Sequence, residues 1–186
     1  MKAILCTLTI LVTSSVSVAD DKQKSTPWKG IPQAIPGRIE AEHYDDGPSG
    51  VAYADKEQKN LGEPYRRNTH VDIEKRSDAS NGHGIGWTRK DEWLHYTVNV
   101  AKDGEYTVTM PVASNKRGGV FHIERNGEDI SGPISIPDTG GWDKLKKIQH
   151  NGLKLNRGVQ TLRVVMDKQG PSGSIGDIDY FEFRRQ

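Results

Sequence analysis

The chain has 186 residues, 26 basic against 25 acidic side chains for a formal net charge of +1, 33% hydrophobic residues and a single cysteine, Cys6. With no concentrated positive stripe, nucleic acid is not an expected partner, because affinity there rests on clustered Lys and Arg. No apolar run reaches the ~20 residues of a membrane-spanning helix, and a lone cysteine supports neither a disulfide framework nor a thiolate metal site.

In chain order, residues 1–19 read as a secretory signal: Lys2, an apolar stretch from Ala3 to Val12, and the small residues Ser17-Val18-Ala19 at the cleavage position. The mature protein is therefore expected outside the cytoplasm, secreted or periplasmic, with Cys6 removed and room for one domain. Residues 20–36 are polar and carry Pro27, Pro32 and Pro36, the composition of an extended arm, which Trp28 is expected to pin to the body. Residues 37–186 read as one all-β domain. Leu94, Tyr96, Val98 and Val100 alternate with polar residues, Gly104 punctuates, and Tyr106, Val108, Met110 and Val112 alternate again, a hairpin signal. Short runs follow at 120–124, 134–136, 145–148, 153–155, 161–166 and 178–183, separated by turn-forming pairs such as Asn126-Gly127, Gly140-Gly141 and Asn151-Gly152. Many short strands with glycine-rich turns predict two antiparallel sheets packed face to face, a jelly-roll β-sandwich.

Two places in this pattern carry candidate chemistry. Glu40 and Glu42 stand two apart on the first expected strand and so share a face, and Asp179 lies on the last strand; first and last strands of a sandwich often meet. Three hard oxygen donors without sulfur suit Ca²⁺, although the same spacing equally fits a solvated acidic face. Trp87 sits between Gly86 and Thr88, and Trp142 follows Gly140-Gly141, both outside apolar runs. A loop tryptophan can offer its flat face to a pyranose, whose C–H groups take the ring while polar side chains meet the hydroxyls; rim packing is the alternative. Trp93, which opens a strand, is expected to pack at a sheet edge. The six histidines show no metal-ligand spacing and no G-x-S-x-G elbow occurs. Carboxylates for a glycosidase cannot be chosen from spacing alone.

The stretches IPGRIEAEHYD, VDIE, GIGWTRKDEWLHYTVNV, TGGWDK and GDIDYFEF, in this order, resemble family 6 carbohydrate-binding modules, especially those attached to agarases and β-glucanases. The resemblance covers about residues 35–183. It implies a jelly roll with a structural Ca²⁺ on Glu40, Glu42 and Asp179, and a sugar site in loops at one end. There Trp87 and Trp142 would sandwich the ring, and Glu74, thirteen positions before Trp87, would meet its rim. Asp177 stands where the family usually has Asn, so the hydroxyl pattern accepted is expected to differ. The resulting expectation is a monomeric, non-catalytic binder of an agar-type galactan, a β-1,3-glucan or a xylan. A small secreted glycoside hydrolase or lyase, and an adhesive surface protein with a degenerate site, remain the alternatives.

Overall fold

A computed structural model describes residues 24–186; the expected signal at residues 1–19 lies outside the described residues. Fourteen strands run in the order β1 (Gln33–Ile35), β2 (Gly37–Glu40), β3 (Tyr53–Ala54), β4 (Ile73–Lys75), β5 (His83–Ile85), β6 (Trp93–Val100), β7 (Gly104–Ser114), β8 (Val120–Arg125), β9 (Glu128–Asp129), β10 (Ile134–Ser135), β11 (Gly141–Leu155), β12 (Gly158–Lys168), β13 (Asp177–Ile178) and β14 (Tyr180–Arg185). They form two sheets, β1-β6-β12-β8-β10 with β3 on β6 and β9 on β8, and β2-β14-β7-β13-β5-β4 with β11 on β7. All pairings are antiparallel except β1 with β6. This is the β-sandwich expected from the alternation of apolar and polar residues.

The alternating residues of the hairpin supply the interior. Leu94, Tyr96, Val98 and Val100 on β6 and Tyr106, Val108, Met110 and Val112 on β7 are all buried, and they meet Phe121, Ile123, Leu162, Val164, Phe181 and Phe183 from the facing strands. Tyr96 packs edge-on against Phe181 with ring centroids 5.5 Å apart, and its hydroxyl donates to the Ala41 carbonyl at 2.8 Å, so the buried phenol keeps a partner.

Two local expectations are corrected, and the extended arm gains a definite partner: its last residues, Gln33–Ile35, form β1 alongside Val98–Val100, and Ile35 is buried in the core. Asn151-Gly152 does not close a hairpin. The two runs at 145–148 and 153–155 belong to one long β11, and the register against β7 slips between His150 and Leu153, where Gly152 at φ +80° accommodates a bulge. Trp93 is not at an edge, because β6 is paired on both sides there, with Ala54 and Val165; the half-buried ring packs on His95 at 4.6 Å between centroids. Trp28 does meet the body, stacked on His43 at 5.0 Å with the Arg66 guanidinium 4.4 Å from its ring centre.

The last strand line determines where chemistry can occur. Ile178 opposes Val112 and Glu182 opposes Thr109, so four steps on β13–β14 match three on β7, and the extra residue falls at the break around Asp179. Both Asp177 and Asp179 end up buried beside this irregularity, near one end of the sandwich.

Candidate functional site: an aromatic cleft on a four-charge clasp

Trp87 adopts φ +48°, a left-handed conformation uncommon outside glycine, in the loop between β5 and β6. The residues on either side make it possible. Gly86 donates its N–H to the Asp72 carbonyl at 3.0 Å, and a Cβ at this position would lie 2.7 Å from the Glu74 carboxyl carbon, so only glycine lets Glu74 lie under the turn. Thr88 is buried and tied to the segment before β13: its hydroxyl donates to the Gly176 carbonyl at 2.6 Å and accepts from the Gly176 N–H at 3.0 Å, while its carbonyl accepts from Ile175 N–H and Ser174 Oγ. With both neighbours fixed, the Trp87 indole projects outward and stays 42% exposed.

Trp142 opens β11 after a turn in which Gly140 has φ +88° and donates to Asp138 Oδ1 at 2.8 Å, and Thr139 bridges Ser114 and the Gly141 carbonyl. Its ring is half-buried. Trp87, Trp142 and Glu74 line two adjoining hollows of about 460 and 440 Å³, within the usual range for small-ligand sites. Asp177, on β13, joins them in the second hollow. The four residues singled out for sugar contact therefore meet in one cleft, although they come from β4, the β5–β6 loop, β11 and β13.

A fifth residue, missed by sequence reading, holds this cleft together. Arg76, 7% exposed, pairs with Glu74 at 2.7 Å, Asp177 at 2.9 Å and Asp78 at 3.0 Å, and donates to the Trp142 carbonyl at 2.6 Å. Burial alone would lower its pKa, but hydrogen bonds to Asp78 and Glu74 raise it, so it stays charged. Burial first, and then the neighbouring Glu74, raise the pKa of the Asp177 carboxyl, while the hydrogen bond from Arg76 Nη1 at 2.9 Å favours its ionised form. The available signal was the alternation Glu74, Arg76, Asp78, opposite charges on one side of an extended segment.

The second candidate cluster lies around Asp179. Glu40 ends β2, but Glu42 is in the following turn rather than on the strand as expected. Ser80 bridges Glu40 and Asp179: its hydroxyl lies 2.5 Å from Glu40 Oε2 and 3.1 Å from Asp179 Oδ1, and its N–H also donates to Asp179. The Asn81 amide donates to Glu42 Oε1, whereas Glu42 Oε2 is buried without a protein partner. Burial, with the mutual repulsion of Glu40, Glu42 and Asp179, pushes the Glu42 carboxyl up to about 7. Three hard-oxygen donors and an orphaned carboxylate oxygen are the chemistry a Ca²⁺ ion satisfies. A further acidic trio, unforeseen because Glu92 comes from a different loop from Asp55 and Glu57, is tighter: one carboxylate oxygen from each of the three lies within 4.8 Å of the others. Glu40, Glu42 and Asp179 are not gathered that closely.

Comparison with known proteins follows the same lines. The profile described as carbohydrate binding module (family 6) matches residues 61–185. The chain is 27% identical over 108 residues to the clotting factor G alpha subunit of Tachypleus tridentatus and 32% identical over 66 residues to a β-agarase of Microbulbifer thermotolerans. Those alignments cover 57% and 36% of this chain but only 16% and 15% of the relatives, so it matches a small part of each. A β-1,3-glucan-binding module of family 6 from Bacillus halodurans superposes with a TM-score of 0.61 at 21% identity, covering 83% of this chain and 99% of that one, a likeness of fold. The chain belongs to family 6 of the carbohydrate-binding modules.

Proposed function

We propose that the protein is a secreted, non-catalytic polysaccharide binder that holds one pyranose between Trp87 and Trp142 near a chain end, with the carboxylates of Glu74 and Asp177 accepting from rim hydroxyls. The observation that supports this best is that both indoles line one cleft together with those two carboxylates. The ligand class is a neutral or weakly charged chain such as an agar-type galactan, a β-1,3-glucan or a xylan. A match to part of a β-agarase supports the first. The amino-terminal signal composition is the support for export.

Covering two indole faces buries ~200 Å² of apolar surface, worth about 5 kcal/mol at ~25 cal/mol/Å². Ordering costs and imperfectly matched hydroxyls reduce this, so a single site is expected to bind with Kd on the order of 10 μM to 1 mM. Glu40, Glu42 and Asp179 are proposed to hold a structural Ca²⁺, which would neutralise their mutual repulsion and fix the end of β2 to the last strand line. Titration calorimetry with agarose, β-1,3-glucan and xylan oligosaccharides is the test: saturable heats that disappear in Trp87→Ala support the reading. Full affinity in that variant, or release of reducing sugar by the purified chain, contradicts it.

A further inference from the structure

The floor of the cleft is organised by a group that has no donor left for a ligand. A guanidinium carries five N–H bonds, and every one on Arg76 is engaged within the protein. Nε donates to Asp78 Oδ1 at 3.0 Å, Nη1 to Glu74 Oε2 at 2.7 Å and Asp177 Oδ2 at 2.9 Å, and Nη2 to Asp78 Oδ2 at 3.0 Å and the Trp142 carbonyl at 2.6 Å. The partners come from three separate parts of the chain, so one planar cation fixes the spacing between the Glu74 strand, the last strand and the loop that carries Trp142.

Its saturation also determines the polarity of the site. Ionised carboxylates accept hydrogen bonds and cannot donate them. Glu63 and Asp143 add further negative charge at the opening, where Lys75 also lies; Arg89 is turned to Glu57 at 3.0 Å.

We propose that Arg76 is the positioning and specificity-determining residue of the cleft. By holding Trp142 against Glu74 and Asp177 while keeping all its own donors, it makes a floor of acceptors that takes neutral or amine-bearing sugars and rejects chains carrying sulfate or uronate at the bound unit. This rests on the sugar-binding reading above. It also gives a reason for Asp at position 177 where the family usually has Asn: the carboxylate offers the guanidinium a charged acceptor, a stronger partner than the neutral oxygen of an amide.

The test uses the full chain with three probes at low ionic strength, where charge effects are least screened: an agarose hexasaccharide, a β-1,3-glucan hexasaccharide, and a galactan hexasaccharide bearing sulfate esters. Wild-type protein is expected to bind at least one neutral probe and to bind the sulfated one about 30-fold or more weakly, since like charges brought together cost several kcal/mol. Glu74→Gln, which leaves the fold's shape unchanged, is expected to shrink that ratio to about fivefold or less. Arg76→Lys keeps the charge but has three donors and cannot span the partners. It is expected to lose about tenfold or more in neutral-sugar affinity and, at a temperature where thermal melts show it fully folded, to red-shift tryptophan emission as the Trp142 segment loosens. If Arg76→Lys fails to fold, the Glu74→Gln ratio decides. Equal binding of sulfated and neutral galactan by wild type, an unmoved ratio in Glu74→Gln, or wild-type affinity and emission in a folded Arg76→Lys each overturns the Arg76 assignment while leaving sugar binding standing. Failure of wild type to bind any neutral probe overturns both.

Discussion

Asp177 and Asp179 stand two residues apart on the last strand line and are both buried, yet they sit in opposite electrostatic company. Asp177 shares a guanidinium with Glu74 and Asp78. Asp179 faces Glu40 across Ser80, beside Glu42 with its unpartnered oxygen, and among the described residues no lysine or arginine is paired with any of the three; Arg38 and Arg76 act on them only at a distance. Buried like charges must be neutralised or protonated. One end of this strand line carries its cation in the sequence; for the other we propose one from solution. On that proposal, two acidic clusters of similar composition serve different ends, the first as the floor of the proposed sugar cleft and the second as a seat for an ion.

The sharpest way to break this comparison is to remove the built-in cation. Arg76→Met leaves three carboxylates around an apolar tip, and loss of one partner from a buried charge network costs about 3–5 kcal/mol. For a domain of this size that is a fall of roughly 10–15 °C in Tm, measured by thermal melts at neutral pH. The next effect is removal of the borrowed cation. Chelation of Ca²⁺ from a protein equilibrated at about a hundred times its Kd is expected to withdraw about 2.7 kcal/mol, roughly 5–10 °C in Tm. Glu42→Gln should abolish that calcium dependence while leaving Arg76 and the cleft untouched; no shift on chelation would remove the contrast altogether.

Smaller again is the loss of one jaw. Trp142→Ala forfeits ~100 Å² of buried sugar contact, about 2.5 kcal/mol, and calorimetry should register an affinity about 70-fold lower. Smallest is the third acidic group. Burial, then Glu92 and Asp72, push the Asp55 carboxyl up to about 8, and burial pushes Glu92 up to about 7. A carboxyl whose folded pKa is raised contributes stability that is fully present below its unfolded value near 4 and lost as pH rises through the folded one. Asp55→Asn should therefore be neutral at pH 4 and gain about 2 °C in Tm over wild type by pH 9. A gain that appears only at acid pH would reverse the sign of this account.

Sequence periodicity reached the fold because the sandwich is built from strands with one wet face and one dry. The β6–β7 hairpin was legible for that reason, while Asn151-Gly152 was misread because a left-handed glycine serves a bulge as readily as a turn. Trp87 and Trp142 were visible as aromatics in glycine-rich loops, but that they line one cleft is a property of the packing between β4, β11 and β13. Arg76 was passed over in the charged run EKRSD: its alternation with Glu74 and Asp78 is visible there, but that the run folds into a buried clasp is decided by Asp177 and the Trp142 carbonyl, far along the chain. In the Asp55, Glu57 and Glu92 trio the first two stand two residues apart, but the third comes from a distant loop that no spacing rule connects to them.

The Thr88 anchor has one more consequence. Trp87 is braced to residues 174–176, and Trp142 is tied through its own carbonyl to the guanidinium that grips Asp177, just beyond that segment. Neither jaw can swing without pulling on the other's support, so the mouth does not shut over its guest. A saccharide arrives and departs through an always-open door, and its exchange is governed by shedding and regaining water rather than by waiting for a gate.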